Sequence, residues 1–233
     1  MATVIIFDWD DTLIDIGKVL CSSQYLACKQ ILARQNEYPF TSTWSLPSQV
    51  QIKQHIGERF LETIIPSIFP AIDYKIELHY IWAKELYSIF KNVYVEQSKQ
   101  LFPNVIAMLK HLSEQGFELA LATNKSRDLL EAEIIATKTP KALFAHIVCG
   151  DDAIIGKNFK PKPDMLNIIQ ANYAPGTKFI MVGDRESDII AAKSSNNKTH
   201  TILISKSKEQ HKVTTDLTLA KVTDLDVSAL KNM

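Results

Sequence analysis

The sequence carries no surplus charge of either sign, because 26 lysines and arginines balance 26 aspartates and glutamates. Nucleic acid and anionic membrane are therefore not expected as main partners, since both select a basic surface. Cysteine is scarce: Cys21, Cys28 and Cys149 form no CxxC pair, and an odd number cannot complete a disulfide framework. They read as buried thiols in a reducing compartment, and a cytoplasmic protein is expected. No stretch approaches the ~18 to 20 apolar residues that span a bilayer. The apolar segment 1–7 is too short for a signal peptide and runs straight into Asp8, Asp10 and Asp11. The six histidines have no paired metal spacing. No GxGxxG follows the first apolar run, which sets dinucleotide binding aside. Internal repeats, low-complexity tracts and flexible linkers are missing too.

What is present is an alternation. Short apolar runs at 3–7 (TVIIF), 117–122 (FELALA), 146–149 (HIVC), 178–182 (KFIMV) and 201–204 (TILI) read as buried strands of a parallel sheet. Helical periodicity fills 104–115, 128–137, 164–172 and 187–195 between them, with an edge strand expected at 216–219 and a last helix at 223–231. Strand following helix predicts an α/β protein with a Rossmann-like, doubly wound parallel sheet. Only the interval between the first two strands breaks the rhythm, and it is far longer than a crossover helix requires. Its periodicity predicts helices over 16–35, 47–65 and 73–91, with Pro39, Pro47, Pro66 and Pro70 marking turns. The expected organisation is an α/β core of residues 1–14 and 98–233, with an inserted α-helical cap of residues 15–97.

Ligands of open parallel sheets bind beyond the carboxyl ends of the strands. The first strand runs into Asp8, Asp10, Asp11 and Thr12, the second into Thr123 and Asn124, the third into Asp151 and Asp152, and the fourth into Gly183, Asp184 and Asp188. Lys160 stands in the loop before the next helix. Carboxylates gathered at one edge repel, and keeping them ionised together requires a cation or strong donors. An oxygen-only ligand set favours magnesium over zinc, and magnesium keeps open positions for a phosphate ester.

The segments Asp8-Trp9-Asp10-Asp11-Thr12-Leu13, Thr123-Asn124, Lys160-Pro161-Lys162-Pro163 and Gly183-Asp184-Arg185-Glu186-Ser187-Asp188 resemble, in order, the four motifs of the haloacid dehalogenase superfamily. Within it the chain resembles the phosphoglycolate phosphatase-like branch, whose helical cap follows the first strand. The resemblance implies that Asp8 is the nucleophile and Asp10 the general acid and base. It implies that Asp8, the Asp10 backbone carbonyl and Asp184 hold Mg2+, with Asp188 in the outer shell or as an alternative ligand. Thr123, the backbone N–H of Asn124 and Lys160 would then bind the phosphoryl group. Asp11 stands where the family usually has glycine and is expected to point away from the metal. Ser195-Asn196-Asn197 replaces a small-residue and glycine turn, with asparagine expected to supply the left-handed conformation.

Each motif alone has a plainer reading, since acids at strand ends cap helices and shape turns. Their common placement at one sheet edge favours an active site. Asp151 and Asp152 could orient Lys160 or simply form a turn. His55, His79, Trp9, Trp44 and Trp82 read as packing or surface residues, while Lys53, His55, Glu58 and Arg59 around Gly57 could face the substrate. The expected enzyme is a phosphoric monoester hydrolase acting on a small phosphorylated metabolite as a monomer or homodimer. The alternatives are a phosphomutase of the same superfamily and a non-catalytic phosphoryl-accepting switch domain.

Overall fold

Val4, Ile5, Ile6 and Phe7 have no solvent exposure, so strand β1 (Thr3–Phe7) is apolar on both faces, as a central strand of a parallel sheet must be. The computed structural model describes residues 2–56, 60–152, 159–205 and 212–233. After β1 come the short strand β2 (Ile14–Asp15) and the helices α1 (Gly17–Leu32), α2 (Gln49–Lys53), α3 (Ile65–Ile68) and α4 (Glu77–Glu96). The chain returns through β3 (Gln100–Leu101), which pairs antiparallel with β2. It then alternates through α5 (Val105–Glu114), β4 (Glu118–Thr123), α6 (Arg127–Ala136), β5 (Phe144–Cys149), α7 (Asp164–Gln170), β6 (Lys178–Gly183) and α8 (Glu186–Lys193). The strands β7 (Thr199–Ile204) and β8 (Leu217–Leu219) and the helix α9 (Val227–Asn232) complete it.

The sheet order is β5-β4-β1-β6-β7-β8, and every neighbouring pair is parallel. This is the doubly wound architecture that the alternation of patterns predicts. Strand order reverses at β1, so the carboxyl ends of β1, β4 and β6 border the ligand crevice of such a sheet. Val4, Ile6, Ala120, Ala122, Phe179 and Met181 share one face and pack with Met165, Leu166 and Ile169 of α7 and Ala191 and Ala192 of α8. The alternate residues Ile5, Phe7, Leu121, Ile180 and Val182 are as fully buried on the opposite face.

The chain divides into two compact units, Met1–Asp15 with Gln100–Met233, and Ile16–Lys99. In the second unit α1 packs on α4, and aromatic rings fill the interior. Trp82 meets Trp44 at 5.1 Å and Phe69 at 5.2 Å, edge-on to both, which sets a positive ring edge against a negative face. His79 stacks on Phe40 at 4.1 Å and accepts the Asp73 N–H at Nδ1, so it is a packing residue.

Four local expectations are corrected. Residues 47–65 are not one helix but α2, a π-helical turn at Phe60–Ile64 and the start of α3. Glu58 and Arg59, two of the candidates named above for substrate contact, lie with Gly57 outside the described residues. Pro66 sits in the first turn of α3 rather than between helices, where its missing N–H has no intrahelical partner to lose. The helix expected over 73–91 begins at Glu77 and extends to Glu96, because the Asp73 carboxylate accepts the Lys75 N–H and holds a local turn. Neither Asn196 nor Asn197 is left-handed; the turn is held from α7 instead, by Asn167 Oδ1 accepting the Asn196 N–H and Gln170 Oε1 the Asn197 N–H. Among the described residues no helix is long and apolar enough to cross a membrane.

Trp82→Ala is expected to remove ~3–5 kcal/mol of stability from the helical unit, the usual cost of deleting a buried indole. Urea unfolding followed by the fluorescence of neighbouring Trp44 measures it, and a loss within error of zero would show that the cluster is not the unit's core.

Candidate active site

Lys160 is the centre of the sheet edge. Its ammonium is buried and lies 2.6 Å from Asp8 Oδ1 and 2.6 Å from Asp188 Oδ1, with a third bond of 2.7 Å to the Ala122 carbonyl. Three elements thus converge on one nitrogen: the end of β1, the first turn of α8 and the end of β4. Burial opposes its charge, but Asp188 and Asp8 outweigh it and hold the ammonium form above the ordinary lysine range. The Lys160 backbone is clamped by Asn124, whose Oδ1 accepts its N–H at 2.8 Å and whose Nδ2 donates to its carbonyl at 3.1 Å. The side chain of Asn124 therefore fixes the lysine's loop, a task that the sequence reading did not assign. Thr123 is buried at the end of β4 and its Oγ1 accepts the Lys125 N–H at 3.2 Å, which leaves the hydroxyl proton to donate.

Asp188 packs here because of a glycine. A Cβ on Gly183 would lie 2.3 Å from Asp188 Oδ2, so only glycine lets this carboxylate fold back against the end of β6. Asp188 Oδ2 also accepts the Arg185 N–H at 3.0 Å. Gly150 serves the neighbouring loop in the same way: a Cβ there would meet the Phe159 ring at 2.2 Å and the Asn124 carbonyl at 2.5 Å. Asp151 and Asp152 brace that loop against α6. Asp151 accepts the Arg127 N–H at 2.8 Å, and Asp152 takes the Arg127 guanidinium at 2.7 and 2.8 Å.

Asp10 does not join the other acids. Its Oδ1 is paired at 2.7 Å with the buried ammonium of Lys125, which also contacts Glu133 Oε1 at 2.6 Å. Glu133 has no solvent exposure and its second oxygen accepts Trp9 Nε1 at 2.6 Å. Burial raises the Asp10 carboxyl to about 7, with Lys125 pulling the other way. Trp9 is thus more than packing, and Lys125 and Glu133 were missed. A signal existed for one of them: Glu133 interrupts the buried stripe Leu129, Leu130 and Ile134 of α6, where an acid needs a partner.

Asp8, Asp184 and Asp188 each bring a carboxylate oxygen within 4.8 Å of the others. Burial, and then the charges of Asp8 and Asp188, push the Asp184 carboxyl well above the usual range. One lysine does not neutralise this cluster, and its donors are all oxygen, so the residues fit a hard divalent cation. Asp11 adopts a left-handed conformation (φ 53°) and is not one of the three clustered acids. It lines a cavity of about 580 Å³ together with Asp184, and its charge adds to the upward shift there.

A parallel sheet that collects carboxylates and a buried lysine at its carboxyl edge is an α/β site suited to phosphate chemistry. The haloacid dehalogenase-like hydrolase profile matches residues 5–202, and the chain belongs to that family. The phosphoglycolate phosphatase of Vibrio cholerae is 30% identical over 207 residues, 82% of this chain and 80% of its own. That of Aquifex aeolicus is 27% identical over 226 residues, 95% of this chain and 94% of its own. CbbY from Rhodobacter sphaeroides, solved in complex with phosphate, superposes with a TM-score of 0.73 over 99% of this chain and 100% of its own. At 16% identity that is a likeness of fold alone. The chain is a phosphoric monoester hydrolase of the phosphoglycolate phosphatase-like kind.

Gly183→Ala is expected to push Asp188 off Lys160 and to lower turnover by roughly 10- to 100-fold, the usual effect of disturbing the partners of an active-site ligand. Steady-state kinetics beside circular dichroism measure it, and unchanged turnover in a folded variant would remove Asp188 from the site.

Proposed function

We propose that this enzyme hydrolyses a small phosphate monoester, of the phosphoglycolate, sugar phosphate or nucleotide class, through a phosphoaspartyl intermediate on Asp8, with Mg2+ as cofactor. The observation that carries the reading is the single buried ammonium of Lys160 between Asp8 and Asp188. It orients Asp8 by one oxygen and leaves the other oxygen to attack phosphorus.

In the first step that oxygen forms a bond to phosphorus as the ester P–O bond breaks, and Asp10 gives its proton to the departing alkoxide. In the second, Asp10 takes a proton from water, the hydroxide attacks phosphorus, and the Asp8–phosphoryl bond breaks. A carboxyl raised to about 7 suits both tasks, because acid and base forms are each populated near neutrality. The Thr123 hydroxyl and the Asn124 N–H hold phosphoryl oxygens, while Lys160 offsets the charge that gathers on them and on Asp8. Mg2+, held by Asp8, the Asp10 carbonyl and Asp184 with Asp188 beside them, would supply further neutralisation of the phosphoryl oxygens. Burial of the free thiols of Cys21, Cys28 and Cys149 supports a reducing, cytoplasmic setting.

A phosphate-release screen over a panel of phosphate esters, with Mg2+ or with chelator, tests this. Wild type is expected to release phosphate only with the ion, and Asp8→Asn to retain almost none of that activity. Equal rates in the two proteins would reject Asp8 as nucleophile. Substrate consumed without net phosphate would reveal a mutase. Asp10→Asn is expected to keep Mg2+ affinity while losing ~10²- to 10⁴-fold in turnover, the span of general acid–base catalysis. Full turnover in that variant removes Asp10 from the mechanism.

A further inference from the structure

We infer that Lys125 is a positioning residue for Asp10, and that Glu133 and Trp9 form the bracket that holds Lys125 in place. The inference rests on the hydrolase reading above and extends it to three side chains outside the catalytic roles already given.

The Lys125 side chain is only 3% exposed, yet it has two carboxylate partners on different elements. One is Glu133 on α6; the other is Asp10, just beyond β1. Glu133 at 2.6 Å already gives the buried ammonium a counter-charge from α6. The pairing with Asp10 therefore has a separate consequence. A flexible four-carbon stem pinned at Glu133 presents its ammonium at one place, and Asp10 is held against it by a single oxygen, Oδ1, at 2.7 Å. Its other oxygen is then the one left to exchange a proton with the leaving group and with water.

Trp9 closes the bracket from the opposite end. It lies between Asp8 and Asp10 in the chain, is fully buried, and donates its indole N–H to the remaining Glu133 oxygen at 2.6 Å. The backbone that carries both aspartates is thereby tied to α6. The arrangement repeats what Lys160 does for Asp8, since there too a buried ammonium links a chemistry-bearing aspartate to a second buried acid. Proton transfer tolerates little misplacement, so a carboxylate free to change rotamer loses rate without losing its substrate.

The test compares wild type, Lys125→Met and the double variant Lys125→Met/Glu133→Gln, the last so that no unpaired acid remains on α6 to unfold the protein. Each is assayed with Mg2+ on an alkyl phosphate, whose alkoxide needs a proton, and on 4-nitrophenyl phosphate, whose phenolate does not. For both variants kcat on the alkyl ester is expected to fall about 100-fold, with KM and the half-saturating Mg2+ concentration changed less than about twofold. On the aryl ester a burst of about one phenolate per active site should precede slow turnover, since phosphoryl transfer survives and hydrolysis of the intermediate does not. Crystal structures of the variants should show the Asp10 carboxylate moved from its present rotamer. Undiminished kcat with Asp10 in place overturns the inference. So does an equal loss on both esters without a burst, the signature of a purely structural lysine. If wild type hydrolyses nothing, the hydrolase reading fails, while the crystallographic comparison still decides whether Lys125 positions Asp10.

Discussion

An ammonium taken out of water persists only against negative charge and hydrogen-bond acceptors, and Lys160 finds both at the carboxyl edge of the sheet. Asp8, Asp188 and the Ala122 carbonyl come to its nitrogen from the ends of β1, α8 and β4. Removing one partner from such a buried pair costs ~3–5 kcal/mol, because the other charge is left uncompensated. The site and the sheet therefore depend on each other. Parallel strands in the order β4-β1-β6 bring these groups within reach, and the ion pairs secure the loops that leave those strands. The neighbouring glycines belong to the same constraint, since Gly183 and Gly150 are where side chains and backbone approach too closely for a Cβ.

The two aspartates of the first motif lie two residues apart in the chain but in different electrostatic surroundings. Asp8 belongs to a cluster with Asp184 and Asp188 whose donors suit a divalent cation. Asp10 is paired with Lys125, which Glu133 also holds, and burial raises its carboxyl to about 7. Separation of this kind is what the proposed division of roles between Asp8 and Asp10 requires. It follows from the chain beyond β1: the indole of Trp9 is fastened to Glu133 on α6, and Asp11 takes a left-handed conformation directly after Asp10.

Much of the fold was legible because local pattern and global requirement agree. TVIIF and KFIMV can be buried on both sides, and the helices between strands carry one apolar stripe each. Short or irregular pieces were not legible. Two-residue strands such as β2 and β3 have no periodicity to read, and the interruption of residues 47–65 by a π-helical turn leaves the apolar spacing nearly unchanged. At the site, Asp8, Asp184, Asp188, Thr123, Asn124 and Lys160 could be named because each ends or follows a strand, or lies before or in the first turn of a helix, at the same edge. Lys125 and Glu133 escaped because neither chemistry nor spacing in the chain links them to Asp10. The left-handed conformation of Asp11 was not legible because strand alternation does not govern a residue that has already left the strand.

The order of residues by itself determined the alternating core, the helical insertion and the identity of the residues at the sheet edge. Those properties rest on periodicity and on where apolar runs end, and both are local. Tertiary structure alone decided which acid meets which base: Lys160 with Asp8 and Asp188, Lys125 with Asp10 and Glu133, Asn124 with the Lys160 backbone. Each of these pairs joins different strands, helices or loops, and its distance is set by how those elements pack rather than by their separation along the chain.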